Sequence, residues 1–173
     1  NFFFLITFLA LIARVWDMIE LRIAGIVEES IVDGPGIRLV VFTQGCNHNC
    51  IGCHNPESHS FSGGKLIDIE EILDMIKENP LLDGITFSGG EPFEQAIECS
   101  ILAKKVKELG LNVIVYTGYT FEQILKNDQF KELLLQTDTL IDGKFEIEEK
   151  SLMLKFRGSK NQRIIDVKRF LGK

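Results

Sequence analysis

The sequence predicts an α/β domain on a mostly parallel sheet, arranged as a compact, incomplete (β/α) barrel or open sheet. Three observations carry this. Short β-rich runs alternate with helical segments from Met18 onward, which is the pattern of βα units. Glycines and unusual polar residues follow those runs, where a parallel sheet keeps its functional groups. The roughly 156 residues that begin at Met18 fall short of the ~250 in a complete eight-unit barrel.

Residues 1 to 17 stand apart from this pattern. "NFFFLITFLALIARVW" is strongly apolar, but its unbroken run ends at Arg14, short of the ~20 residues that span a bilayer. No basic stretch precedes it and no small-residue cleavage site follows. Met18 opens globular patterning, so residues 1–17 are read as an upstream or non-native extension and 18–173 as one domain. Arg14 and Asp17 cancel, which assigns the formal charge of -6 to that domain. An acidic chain is a poor nonspecific phosphate binder, so nucleic acid is not an expected partner; the shortness of the apolar run makes a membrane an unexpected one as well. Without an export signal the expected compartment is a reducing cytoplasm, where clustered cysteines bind metal more often than they pair.

The elements follow in order. Residues 21–27 (LRIAGIV) and 37–44 (IRLVVFTQ) read as strands parted by the turn "DGPG", Asp33 to Gly36. Asp68 is placed to cap a helix that Pro80 closes. A short strand "GITFS" (84–88) leads into "EPFEQAIECSILAKKVKELG", with apolar residues at helical spacing and Gly110 in position to end it. "LNVIVYT" is the strand of a third unit, with "TFEQILKN" and "QFKELLLQ" as its helical return. A strand "TDTLIDG" and a terminal strand or helix "QRIIDVKRFL" complete the chain.

Three of the four cysteines, Cys46, Cys50 and Cys53, occupy one loop in a C-x3-C-x2-C spacing. Soft thiolates so close together select zinc or an iron-sulfur cluster. A structural zinc site completed by His48, His54 or His59 is one reading, although such sites draw paired cysteines from two segments and no second pair exists here. The other is a four-iron cluster with one iron lacking a protein ligand and open to a small molecule. Cys99 aligns with Leu102, Ala103, Val106 and Leu109 on a helical face and reads as an inert buried thiol.

The loop "CNHNCIGC" resembles the cluster loop of the radical S-adenosylmethionine superfamily, and "GGEP" (Gly89 to Pro92) resembles its second motif. "VDGPGIRLVVFTQGC" before the cysteines and "CHN" after them look like the activating enzymes of glycyl-radical proteins. "DGKF" (Asp142 to Phe145) and "KFRGSKNQRIIDV" (Lys155 to Val167) are similar to the branch acting on anaerobic ribonucleoside-triphosphate reductase. The resemblance runs from Met18 to the C-terminus. It implies a radical S-adenosylmethionine fold, a 4Fe-4S cluster on Cys46, Cys50 and Cys53, and S-adenosylmethionine on the open iron. Reductive cleavage of that ligand would then place a radical on a glycine of the partner. The implied partners are the reductase large subunit and an electron donor such as flavodoxin. No side chain is given a catalytic role, because the cofactors carry the chemistry.

The implied ligand contacts are Gly52, Cys53, His54, Gly89, Gly90, Glu91 and Thr117. Gly89 and Gly90 would let the backbone approach the methionyl amino group; a tight turn is the plain alternative. Glu91 would accept from that ammonium, or cap the following helix. Many superfamily members carry an aromatic residue where Gly52 stands, so adenine stacking must come from elsewhere, with His54 the candidate. Thr117 and Gly118 end the third unit's strand and could face the cofactor. His48 and His59 are read as loop residues. Lys155, Arg157, Lys160 and Arg163 could meet the ligand carboxylate or an acidic partner, against the default of solvated charges. The rival functions are activation of another glycyl-radical enzyme, such as pyruvate formate-lyase, and a zinc-binding interaction module.

Overall fold

The computed structural model describes residues 18–172. The expected extension, residues 1–17, lies outside the described residues. Seven strands form one sheet in the order β3-β1-β2-β4-β5-β6-β7. They are β1 (Glu20–Ser30), β2 (Arg38–Thr43), β3 (Lys65–Asp68), β4 (Gly84–Gly89), β5 (Asn112–Tyr116), β6 (Thr139–Asp142) and β7 (Arg163–Asp166). The helices are α1 (Ile69–Glu78), α2 (Ala96–Glu108), α3 (Phe121–Ile124), α4 (Asp128–Gln136) and α5 (Val167–Phe170). The outer strands β3 and β7 remain edges, so the sheet is open.

β2, β4, β5 and β6 form the expected parallel center. The flanks are antiparallel: β1 pairs with β2 and β3, and β7 with β6. The sheet as a whole is therefore mixed. β3, which the sequence reading left unassigned, is only four residues long and half exposed, too short to show an alternation of its own. The terminal segment is both of the elements expected for it, a strand through Asp166 and then a helical turn.

Alternation along the strands sorts their side chains into two faces. Leu39, Val41, Ile85, Phe87, Val113, Val115 and Leu140 meet Ile72, Leu102, Val106 and Leu133 of the helices in one apolar core. α1 begins at Asp68, whose carboxylate accepts from Glu70 N at 3.0 Å, and α2 runs out at Gly110 with φ +81°. The other face carries Arg38, Val40, Thr86 and Ile114, all buried. The turn at residues 33–36 folds against it: a Cβ on Gly34 would stand 2.6 Å from Ile114 Cδ1 and 2.7 Å from Arg38 Cδ. Arg38 is fully buried, yet it donates to Thr86 Oγ1 and the Ile85 carbonyl at 2.6 Å each, and to the Pro35 carbonyl at 3.2 Å. Burial lowers its pKa to about 10. Arg38 thus fastens the turn at the amino ends of the parallel strands, and the carboxyl ends are left for the loops that build the site.

Candidate active site

Four chain segments converge at the carboxyl ends of β2, β4, β5 and β6. Around one cavity of about 150 Å³ stand Cys46, Cys50 and Cys53 after β2, Gly89 and Gly90 at the end of β4, and Thr117 and Gly118 after β5. His54 and His59 also line it, and Gly143, Phe145 and Gln162 close the side beyond β6. The parallel center explains the convergence, because each βα connection leaves its strand on the same edge of the sheet.

The cysteine loop is held by backbone pairing. Gly45 N donates to the Ser58 carbonyl at 2.8 Å and Cys46 N to that of His59 at 3.0 Å, which folds residues 45–59 back on themselves. The second motif packs onto the base of the loop, with Gly90 N donating to the Thr43 carbonyl and Glu91 N to that of Gly45, both at 2.8 Å. Gly89 has φ +92°, and a Cβ there would stand 2.7 Å from Phe42 Cα. The glycine pair is therefore demanded by strand packing, besides lining the cavity.

Glu91 behaves differently from the ligand-facing acceptor proposed for it. Its side chain is completely buried. Oε1 accepts from Phe93 N at 3.0 Å and Thr117 Oγ1 at 2.8 Å; Oε2 accepts from Gly118 N at 2.9 Å and His48 Nε2 at 2.6 Å. Four donors fill the roughly four lone-pair positions of a carboxylate. Of its two expected roles, the helix cap is the one displayed, and Glu91 does not line the cavity.

His48, read from sequence as a loop residue, is the fourth of those donors. Its side chain is 8% exposed, and its ring meets Tyr119 edge-on at 4.6 Å between centroids. Tyr119 is held in turn, its hydroxyl donating to Glu94 at 2.6 Å. Nothing in "CNHNC" separates a buried histidine from an exposed one; the signal would have been the need of a buried Glu91 for donors. Gly52 has φ +73°, and a Cβ there would meet Ile147 Cδ1 at 2.6 Å. It is an exposed turn residue outside the cavity wall.

His54 is exposed and lies 4.8 Å from Phe145, ring to ring. Phe145, within "DGKF" but not singled out from sequence, is thus the aromatic side chain beside the expected adenine contact. Gln162 was missed as well. It donates to the Gly143 carbonyl at 3.0 Å and accepts from Gly158 N at 2.9 Å, pinning the tail to the end of β6. Among the basic residues, Arg163 is committed to Asp142 and Glu122. Arg157 donates to the Gln162 carbonyl at 2.9 Å, while Lys155 and Lys160 are exposed and do not line the cavity.

Burial pushes the Cys46 thiol up to about 11, partly offset by the amide of His48. Cys50 is raised too, again by burial, against the amide of Phe145. Thiolates here need a cation to compensate them. Cys99 is fully buried in α2, and its burial raises the thiol strongly. Among the described residues no three His, Cys, Asp or Glu side chains group closely enough for a single metal ion. One zinc would need its sulfurs within about 4 Å of each other, given Zn–S bonds of ~2.3 Å. All three loop thiols line the one cavity.

Comparison with known proteins places the chain among iron-sulfur proteins. Residues 32–165 match the family described as a 4Fe-4S single cluster domain, which gives the class. The chain is 36% identical to the anaerobic ribonucleoside-triphosphate reductase-activating protein of Pasteurella multocida, over 76% of this chain and 89% of that one. It is 35% identical to the corresponding protein of Enterobacteria phage T4, over 77% and 86%. The pyruvate formate-lyase-activating enzyme of Clostridium pasteurianum is 41% identical over 64% of this chain, which spans only 50% of that enzyme. Among solved structures, QueE from Escherichia coli superposes with a TM-score of 0.46 at 15% identity, covering 58% of this chain and 54% of that one. The chain belongs to the family of anaerobic ribonucleoside-triphosphate reductase-activating proteins.

Proposed function

We propose that this protein activates the large subunit of an anaerobic ribonucleoside-triphosphate reductase by placing a radical on one of its glycines. The observation that carries the reading is the opening of three loop thiols, and no fourth, on one cavity beside two further βα loops. Cys46, Cys50 and Cys53 would hold a 4Fe-4S cluster with one iron free for the amino and carboxylate groups of S-adenosylmethionine. Bound there, such a cluster would supply the one-electron reduction by which the sulfonium is cleaved and a hydrogen taken from the glycine.

The chain's own residues bind, orient and shield. Gly89 and Gly90 present backbone at the ligand's methionyl end, Thr117 walls the same side, and His54 with Phe145 offers a ring surface to the adenine. A base stacked on such a surface gains about 1–3 kcal/mol. A glycine loop of the partner would enter this cavity and exclude water. A low-potential donor such as flavodoxin would deliver the electron, and the setting is a reducing cytoplasm. No helix among the described residues is long and apolar enough to cross a membrane. Met18 to Lys173 would form the radical S-adenosylmethionine domain, with residues 1–17 an extension.

The identity to a pyruvate formate-lyase-activating enzyme supports a second reading, activation of that glycyl-radical enzyme. Anaerobic incubation with S-adenosylmethionine and reductant, with each candidate partner in turn, separates them by electron paramagnetic resonance. A glycyl doublet is expected on the reductase large subunit. A doublet only on pyruvate formate-lyase would select the second reading, and none on either partner would refute both.

A further inference from the structure

We propose that His48 is a positioning residue, which fixes its own backbone amide against the Cys46 sulfur by latching the cysteine loop to buried Glu91. The inference rests on the cluster reading above. It begins from two contacts made by one residue. His48 N donates to Cys46 Sγ at 3.5 Å, while the ring Nε2, facing a carboxylate that accepts every other bond it makes, donates to Glu91 Oε2 at 2.6 Å. The ring therefore holds the amide that contacts the first cysteine.

The anchor is held from two sides. Glu91 is tied to the start of its own helix through Phe93 N and to the β5 loop through Thr117 and Gly118. Withdrawing one donor from a carboxylate with no exposure leaves a buried lone pair unmatched, so the His48 ring is held in place. Gly118 admits the ring: a Cβ there would collide with three of its atoms, the nearest being Cδ2 and Nε2. Tyr119 covers the ring edge-on. Three loops thus meet at a histidine that belongs to the metal loop but is not needed as a ligand.

The consequence for a bound cluster follows from chemistry. An N–H directed at a ligating sulfur stabilises the more negative, reduced state, and hydrogen bonds to sulfur are among the levers on cluster potential. Groups that orient metal ligands from behind typically change metal affinity or activity by about 10–100-fold when removed. His48 would therefore raise the potential of the cluster and slow its loss.

The test uses the anaerobically reconstituted full chain with four readouts: iron and sulfide content, rate of iron release to a chelator, midpoint potential, and KM against kcat. His48→Ala is expected to shift the midpoint to more negative potential and to release iron about 10–100-fold faster. His48→Gln, whose amide can donate to Glu91, is expected to restore both toward wild type. Gly118→Ala, which displaces the ring without altering it, should reproduce His48→Ala and keeps the proposal testable if that variant folds poorly. Wild-type iron-release rate and midpoint in both His48→Ala and Gly118→Ala would overturn the proposal and leave the cluster reading intact. Wild-type protein that takes up no iron would overturn the cluster reading itself.

Discussion

Gly90 sits so close to the cysteine loop that a Cβ on it would stand 2.6 Å from the Gly45 carbonyl oxygen and 2.9 Å from that of Thr43. Both obstacles are backbone, so neither can swing aside. Gly90→Ala is expected to destabilise the fold by about 1–3 kcal/mol, the range for overpacking, and to lower iron retention because the loop base must move. Urea unfolding and iron analysis of the same preparation check this. Wild-type values for both would show that the loop tolerates displacement.

The four cysteines should divide sharply. Cys46→Ser, Cys50→Ser or Cys53→Ser should each abolish the visible absorption of the cluster with little effect on the stability of the metal-free chain, since these thiols are only partly buried. Cys99→Ser should do the reverse: full iron, but a lower unfolding midpoint, because a hydroxyl replaces a thiol at a site with no exposure. Iron loss in Cys99→Ser would contradict the assignment of three ligands.

Arg163 bridges Asp142 at the end of β6 to Glu122 in α3. Its hydrogen bond holds the Glu122 carboxyl down to about 2. An acid whose folded pKa lies below its unfolded value of ~4.3 stabilises the fold above that value, and the contribution is lost as pH falls toward the folded pKa. The pair is largely exposed, so the effect is small. The difference in urea midpoint between wild type and Glu122→Gln should be constant above about pH 5 and shrink between about pH 4 and 2. A difference independent of pH would show that Arg163 does not hold this carboxylate.

Much of this was legible in the sequence because local chemistry and fold agreed. "GITFS" and "LNVIVYT" are short apolar runs bounded by turn residues, and both are central parallel strands. Asp68 was readable as a cap from its place ahead of an amphipathic run. The convergence of the cysteine, GGEP and Thr117 loops followed from the direction of a parallel sheet. What stayed hidden depends on partners distant in sequence. β3 exists because β1 offers it an edge. Glu91 turned inward because three loops supply its donors, and His48 is one of them; Phe145 and Gln162 reach the cavity only once β7 pairs back on β6. None of those contacts leaves a periodicity in the chain.

On the proposed function, one iron corner is reserved for a sulfonium ligand. The most direct measurement is the electron paramagnetic resonance spectrum of the anaerobically reconstituted, reduced protein before and after S-adenosylmethionine is added. About four irons and four sulfides per chain are expected, with a spectrum that changes on addition in wild type. A chain holding about one zinc and no iron, or a cluster spectrum unmoved by saturating S-adenosylmethionine, would contradict it.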